Sequence, residues 1–373
     1  MRQIRKPGLL GNAELKEEVA LLAAVEPSEF PFISCYLDAR AGKASCQHFL
    51  ERKSAIIRQK LSGSARFAFE NALAMLQRQM EEYWNAEAQG LAMFARGLAG
   101  GRHLSVMHLA VPLENSLITY RAPELLPLVE LLQREPPFTL VLAQGGRVQV
   151  SDIDLGVNTP RAWVDDARIP RATSDVLDRS AAGSTTTNSM VRLDRPARLI
   201  QRTLAASSTP LLLAGDEATL KKVINWLPQR ALSRLLGTVA VPLGLGQREA
   251  VELLRGTLSD IHAEESMQLV SRLVTAIRTH GPAVAGHLAA MEALRQGSVD
   301  TLVIADAGQP NVGAHWDAKI ELSRQACRRG TRVVLADSED LRYLGGVGCL
   351  LRQRHETHAM PVPSRFGHLD LVA

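Results

Sequence analysis

Arginine is the residue type whose clustering points most clearly to chemistry in this sequence. From Arg161 to Arg202 the chain contains no lysine, five aspartates and eight arginines, namely Arg161, Arg168, Arg171, Arg179, Arg192, Arg195, Arg198 and Arg202. Arg195, Arg198 and Arg202 have the i, i+3, i+7 spacing of one helix face. Because guanidinium groups pair bidentately with phosphate oxygens, this face indicates contact with an RNA backbone. The alternative is a solvated helix face that pairs with the aspartates.

Small hydroxyl residues around a single glycine lie immediately before this arginine face. The stretch comprises Gly183, Ser184, Thr185, Thr186, Thr187 and Asn188, and Arg179 lies just ahead of it. Such a segment cannot bury a core, and long irregular stretches inside compact domains are usually functional or disordered. A hydroxyl or the Asn188 amide could in principle position a water molecule for hydrolysis.

Established catalytic motifs are absent from the sequence. It contains no G-x-S-x-G, no H-E-x-x-H and no G-x-x-x-x-G-K-[ST] pattern. Gly244–Glu249 (GLGQRE) precedes a helix but lacks the third glycine of a dinucleotide fingerprint, which favours a turn between domains. His355 and His358 flank Glu356 in a polar tail with no further ligands in view, so we expect no metal. No cofactor is expected either.

Two further sets of titratable residues have simple structural explanations. His103 and His108 lie in one strand segment, where half-buried histidines are expected more often than an acid–base pair. Four aspartates lie among the arginines, and ion pairs explain them better than a carboxylate site does. These aspartates are Asp165, Asp166, Asp175 and Asp178.

Composition bounds the class of protein. The chain has 373 residues, 46% hydrophobic and 22% charged, with a net charge of +4. These values are typical of globular domains and exclude wholesale disorder. Four scattered cysteines form no CxxC pair, the basic N-terminus lacks a long apolar run, and no segment approaches the roughly 20 apolar residues that span a bilayer. We expect a soluble cytoplasmic protein without a membrane partner.

Alternating helical and apolar β patterns predict an α/β fold with mostly parallel sheets and helices on their faces. A double proline after residue 135 and a glycine turn near 244 divide the chain into three domains, at 1–135, 136–243 and 244–373. The central domain opens with a hairpin, and Val157–Asp194 reads as one irregular stretch before the basic helix. In the third domain, helices over Gln247–His280 and Val284–Arg295 precede the strand Val299–Asp306.

Two motifs of the third domain carry a family resemblance. Met291–Asp306 (MEALRQGSVDTLVIAD) has a helix, a glycine stop and an acidic-Thr-Leu strand in that order. Leu341–Arg352 (LRYLGGVGCLLR) has a Leu-Gly-Gly turn before an apolar strand. Both resemble the C-terminal domain of the archaeo-eukaryotic peptide-chain release factor and Pelota superfamily. The resemblance covers roughly Phe138 to Arg352, and the first domain looks like that of bacterial members.

Active release factors of this superfamily carry Gly-Gly-Gln in a loop of the middle domain, before a basic helix. Here Arg192, Arg195 and Arg198 resemble that basic stretch and Gly183 resembles a motif glycine, but no glutamine follows it before Gln201. The resemblance therefore implies no catalytic residue, a loop at Gly183–Asn188 and RNA contacts at Arg179, Arg192, Arg195, Arg198 and Arg202.

Pelota and the bacterial, Balon-like branch of the superfamily also lack Gly-Gly-Gln and act in the ribosomal A site. The resemblance implies a ribosome hibernation or rescue factor whose partners are ribosomal RNA of the A site and the peptidyl-transferase centre. Elongation factor Tu or another translational GTPase is a further implied partner. The alternative is a peptidyl-tRNA hydrolase that uses Ser184–Asn188.

Overall fold

Three separate β-sheets organise the chain, and each takes its strands from a different stretch of sequence. The computed structural model describes residues 8–97, 101–165, 197–242, 244–305 and 314–352. Helices cover both faces of each sheet through buried apolar side chains. The protein therefore has the expected mixed α/β fold.

The first sheet is antiparallel throughout. Its unit comprises α1 (Asn12–Ala23), β1 (Phe32–Asp38), α2 (Lys43–Lys60), α3 (Gly63–Glu82), β2 (Gly90–Arg96), β3 (His103–Leu109), β4 (Ser116–Tyr120) and α4 (Leu126–Arg134). The strand order is β3-β2-β1-β4. Leu15, Val19 and Leu22 recur at helical spacing and pack α1 on one face, while α2 and α3 cover the other. Because β1 and β2 are buried on both faces, their sequences are nearly continuous apolar runs.

The central sheet combines a hairpin with a parallel segment. Its elements are β5 (Phe138–Gln144), β6 (Arg147–Asp154), β7 (Val157–Asp165), α5 (197–205), β8 (Leu211–Gly215), α6 (Glu217–Trp226), α7 (Gln229–Leu232) and β9 (Leu235–Ala240). In the order β7-β6-β5-β8-β9, the first three strands pair antiparallel and β5, β8 and β9 pair parallel. Side chains of α5 and α6 share one apolar cluster on the first face of this sheet.

The third sheet contains both motifs of the family resemblance. Its elements are α8 (Gln247–Arg278), β10 (Ala283–Ala285), α9 (His287–Gln296), β11 (Val299–Ala305), α10 (Ala314–Arg328), β12 (Arg332–Ala336), α11 (Glu339–Tyr343) and β13 (Val347–Leu351). The strand order is β10-β13-β11-β12, with only β11 and β12 parallel among these strands. α9 and α10 cover one face, and the end of α8 and α11 cover the other.

Helix α8 packs against two sheets. Ala250, Leu254 and Leu258, spaced by four residues, pack on the second face of the central sheet. Val270 and Leu273, more than two turns further along, pack on the third sheet. The 32 residues of α8 give a rod of about 48 Å, which is long enough to reach both. The domain boundaries at 135 and 243 stay a prediction. α8, which follows the boundary at 243, contributes side chains to the cores of both the central sheet and the third sheet.

Gln133 and Arg324 are two of the side chains that join the first unit to the third. The Gln133 amide of α4 donates to the Leu335 carbonyl at 3.1 Å and accepts from the Leu335 N–H at 2.8 Å, so it pairs with the edge strand β12. Arg324 of α10 is 2% exposed and donates to the carbonyls of Ala23 and Val25 at the end of α1. Neither tie has a signature in the sequence.

Three expectations about strands are wrong. Among the described strands most pairings are antiparallel, not parallel as expected. The expectation failed because a strand that is buried on both faces is an apolar run whether its neighbours are parallel or antiparallel. Val157–Asp165 forms β7; its Pro160 is tolerated because β7 is an edge strand with a register shift there. Ala283–Ala285 forms β10, and the following helix begins at His287, so the expected helix start at Val284 is wrong.

Candidate nucleic-acid interface

Helix α5 carries the described part of the predicted arginine face, and its inner side is fixed in the central core. Ile200 and Leu204 lie four residues apart and are both 0% exposed. They pack with Val141 and Val150 of the sheet and with Val223 of α6. Burying two large aliphatic side chains contributes about 1.5–3 kcal/mol each, which anchors the nine described residues of this helix.

Polar contacts fix the end and one side of α5. The Arg234 guanidinium donates to the carbonyl oxygens of Leu204 at 2.8 Å and Thr209 at 2.7 Å. It therefore satisfies a carbonyl that the end of a helix leaves without an intrahelical partner. The Gln201 side-chain amide donates to the Trp226 carbonyl at 2.8 Å, which ties α5 to the end of α6. The helix is a rigid support for whatever its outer face contacts.

Arg198 and Arg202 lie on the outer face of α5, and both are exposed. Their separation by four residues places their side chains on neighbouring turns. None of the described residues 197–205 is acidic, and exposed Leu199 lies beside the two arginines. Two guanidinium forks on one rigid helix face can bind successive phosphate groups of a nucleic-acid backbone. The structure thus places two of the predicted RNA-contacting residues together.

The remaining predicted site residues lie outside the described residues. These are Arg179, Gly183, Ser184, Thr185, Thr186, Thr187, Asn188, Arg192 and Arg195. The described elements on either side, β7 and α5, are an edge strand and a surface helix of the same sheet. The loop and the rest of the arginine face stay predictions.

A cluster of hydroxyl groups that sequence reasoning missed lies beneath the end of α5. The Thr139 hydroxyl lies 3.0 Å from that of Ser207 and 2.7 Å from that of Thr209, and it donates to Asp152 at 2.9 Å. Asp152 also accepts from the Arg161 guanidinium at 2.6 Å. Asp152 is not one of the four aspartates for which ion pairs are expected, so that expectation stays a prediction, and the side chains of those four lie outside the described residues.

The two histidines of β3 do not form an acid–base pair. They are five residues apart on one strand, so their side chains point to opposite faces. His103 is half-buried with its ring centroid 5.4 Å from that of Phe32, and burial, with Arg96, lowers its pKa. His108 is buried, and that burial lowers its pKa as well. Burial therefore disfavours the protonated form of both rings.

The Gly244–Glu249 turn caps α8. The Glu249 carboxylate accepts from the Gly246 N–H at 2.9 Å, so a side chain of the first helical turn already bonds this helix start. Gly244–Glu249 is therefore a turn that joins the central unit to α8. This agrees with the interpretation based on the absence of the third glycine of a dinucleotide fingerprint. Among the residues that the structure describes, no group of three His, Cys, Asp or Glu side chains is arranged to hold a metal ion.

Both motifs of the resemblance have the local structure that their sequences suggest. Gly297 ends α9 in the left-handed region at φ 71°, and the Ser298 N–H donates to the Ala293 carbonyl before β11 begins. Gly345 and Gly346, at φ 87° and 72°, turn the chain from α11 into β13. Each motif is a helix, a glycine stop and a strand buried in the third sheet.

Comparisons with solved structures find translation factors. A crystal structure of an archaeal translation termination factor is 13% identical, covers 92% of this chain and 99% of its own, and has a TM-score of 0.28. A ribosome-bound archaeal Pelota, described with ABCE1, is 15% identical, covers 90% of this chain and 94% of its own, and has a TM-score of 0.40. S. cerevisiae Dom34 is 11% identical, covers 70% of this chain and 80% of its own, and has a TM-score of 0.39.

These TM-scores are too low to assign the fold or the function of this chain. No protein-family model and no curated protein matches the sequence. Within the described part of the chain, no helix is both long and apolar enough to cross a lipid bilayer.

Proposed function

We propose that this protein is a ribosome-binding translation factor that occupies the A site of idle or stalled ribosomes, in hibernation or rescue, without Gly-Gly-Gln chemistry. The observation that carries the proposal is the pair of exposed arginines on α5, which follows the sequence Gly183–Asn188 at the Gly-Gly-Gln position, where there is no glutamine. The two motifs of the third sheet add to it, because they resemble the release factor and Pelota superfamily and fold as helix, glycine stop and strand.

In this proposal the central unit makes the RNA contacts. Arg198 and Arg202 bind phosphate groups, and the buried side of α5 holds their backbone at a fixed spacing, so this part of the helix need not become ordered on binding. The chain from Gly183 to Asn188 would extend towards the peptidyl-transferase centre. The third unit would bind a translational GTPase such as elongation factor Tu. Membership of the Balon-like branch and residence in the cytoplasm are parts of the same proposal.

Sedimentation with ribosomes tests this function. The wild-type protein should pellet with ribosomes from starved cells at low salt, and an Arg198→Ala/Arg202→Ala variant should be released at lower salt. Each lost phosphate contact should lower the slope of log affinity against log salt by about one. Arg278→Ala, at an exposed arginine near the end of α8, is the matched control and should bind like wild type. Absence of the wild-type protein from the ribosome pellet at low salt would contradict the proposal.

A peptidyl-tRNA hydrolase that uses Ser184–Asn188 is the second candidate, favoured by the hydroxyl groups at the motif position. Release of a labelled peptide from stalled ribosomes distinguishes the two. Release that disappears when residues 183–188 are replaced by glycine and alanine would establish the hydrolase. Ribosome binding without release is the result that the A-site proposal predicts.

A further inference from the structure

Strand β4 is one edge of the first sheet, and only its inner side is paired with a described strand. It pairs with β1 from Ser116 to Tyr120 without a register shift. Alternate residues of an edge strand point their N–H and C=O groups away from the sheet. No hydrogen bond joins the backbone of residues 116–120 to a described residue outside β1. Within the described part of the chain, this edge therefore offers a row of backbone donors and acceptors without partners.

Three other edge strands of the chain are protected against pairing with a further strand. At the opposite edge of the same sheet, the Leu10 N–H donates to the His108 carbonyl of β3 at 3.0 Å. β7 contains Pro160 next to a register shift, and the backbone of β12 bonds Gln133. β4 has the sequence SLITY, with no proline, no charged residue and no bulge, so it lacks the features that block edge pairing. It is competent to pair with another strand.

The edge of β4 lies in a cleft between two helices. A cavity of about 510 Å³ is lined by residues 116–118 of the strand, by Lys53 of α2 and by Trp316 of α10. A second groove, lined by Thr119 and Tyr120, continues along the rest of the strand. All five residues of β4 are half-buried. Open space therefore follows the strand along its length, with α2 and α10 beside it.

The cavity next to β4 is suited to an apolar side chain. Leu126, Ile304 and Trp316 contribute apolar surface to it. Arg134 and Arg255 also line it, but each is already paired with a glutamate, at 2.9 Å and 2.5 Å. The indole N–H of Trp316 is buried and has no hydrogen-bond partner. A large apolar side chain can fill this space, and a carbonyl oxygen that arrives with it can satisfy the indole N–H.

We infer that the outer edge of β4 binds an extended segment of a partner protein, which adds a fifth strand to the first sheet and places a large apolar side chain in the cavity. Strand addition is the mode of recognition in which backbone hydrogen bonds give affinity and a side-chain pocket gives specificity. Only a polypeptide carries the regular row of amide donors and acceptors that such an edge requires, so a nucleic acid does not fit it.

A second copy of the chain fits this edge less well than a single extended segment does. Paired strands approach to about 4.8 Å. In a second copy β4 lies between the same two helices, so the helices of the two copies would meet before their strands did. A segment without flanking helices has no such obstacle.

The cleft is separate from the arginines of α5. Arg198 and Arg202 belong to the central unit, whereas the cavity is lined by residues of the first unit, the third unit and α8. Binding at β4 goes beyond the proposed function and does not depend on it, so a peptide can test it without a ribosome.

Peptide selection on the full chain tests the inference. Random nine-residue peptides displayed on phage are selected against the wild-type protein, and the peptide that binds most tightly is synthesised in three forms. One form is unmodified, and the other two carry N-methyl groups on one or the other set of alternate residues. Methylation of the set that faces β4 should weaken binding roughly 5- to 150-fold, through the loss of about two backbone hydrogen bonds. Methylation of the opposite set keeps every side chain and should leave the affinity unchanged.

Hydrogen exchange and one substitution locate the site. The bound peptide should slow amide exchange in residues 116–120. Ile118→Lys places a charge in the cavity and should weaken binding roughly tenfold or more, because the peptide would bury that charge. Leu236→Lys, at an exposed apolar residue of the edge strand β9, is the matched control and should bind like wild type.

Several results would overturn the inference. They are selection of no peptide, equal weakening by the two methylated forms, and a peptide that leaves exchange in residues 116–120 unchanged. Slow exchange of every amide of residues 116–120 in the free protein would also overturn it, in favour of a second copy if the slowing increases with protein concentration and of the chain itself if it does not. Failure to pellet with ribosomes would instead count against the proposed function alone.

Discussion

Glu124 provides a quantitative test of the structure, because it is a carboxyl group sealed in the core without a counter-ion. It is 0% exposed at the start of α4; one oxygen accepts from the Leu126 N–H at 2.8 Å and the other has no hydrogen-bond partner. Its N–H donates to the Ser34 hydroxyl, and its carbonyl accepts from the Tyr36 hydroxyl. Burial raises the pKa of Glu124 from 4.5 to about 7, although the Leu126 N–H opposes the rise.

The raised pKa makes the protein less stable as the pH increases. Between 4.5 and about 7 the folded state holds a proton on Glu124 that the unfolded state has lost, so the free energy of unfolding falls through this window. Since one pKa unit is worth about 1.4 kcal/mol, Glu124 accounts for a loss of about 2–3 kcal/mol between roughly pH 5 and pH 8. Glu124→Gln resembles the protonated acid and cannot ionise, so it should remove this part of the pH dependence.

Urea unfolding of both proteins between about pH 5 and 8, followed by circular dichroism, measures the effect. The difference between Glu124→Gln and wild type should move in favour of the variant by about 2–3 kcal/mol as the pH rises. Comparison with the wild type cancels the opposite contribution of His103 and His108, whose lowered pKa values favour folding at higher pH. Glu87→Gln, at an exposed carboxylate, is the control and should run parallel to wild type. Parallel curves for Glu124→Gln would refute the buried position of the carboxyl group.

Two further substitutions test how the interface and the units are held. Leu204→Ala should lower the free energy of unfolding by about 2–5 kcal/mol, because the Leu204 side chain is fully buried on the inner side of α5. Leu199→Ala, on the outer face of α5, should change the free energy of unfolding by less than about 0.5 kcal/mol in the same urea titration. Gln133→Ala should lower the free energy of unfolding by about 1–3 kcal/mol and speed amide hydrogen exchange at Leu335, because it removes both hydrogen bonds to Leu335 of β12. Gln229→Ala, at an exposed glutamine, should have neither effect. Equal effects within either pair would contradict the packing described here.

The fold class and the arginine helix could be predicted because periodicity is a local property. Apolar residues at helical spacing indicate α1 and α5 directly, and glycine stops such as Gly297 mark where a helix gives way to a strand. Strand direction depends on which strands become neighbours, which no local pattern contains. β7 was missed because Pro160 normally argues against a strand, and β10 because three residues give no periodicity.

Two features that sequence reasoning missed depend on tertiary structure. Trp163 is exposed because β7 lies at the edge of the sheet, a position that the sequence alone does not show. Glu124 follows a proline in an ordinary helix-start sequence, and its burial comes from the β1 side chains above it.

A structure of the protein bound to ribosomes from starved cells would test the A-site proposal most directly. The proposal predicts the protein in the A site, with Arg198 and Arg202 of α5 against ribosomal RNA and the chain from Gly183 to Asn188 directed at the peptidyl-transferase centre. A complex in which the protein binds elsewhere on the ribosome, or in which α5 faces solvent, would contradict it.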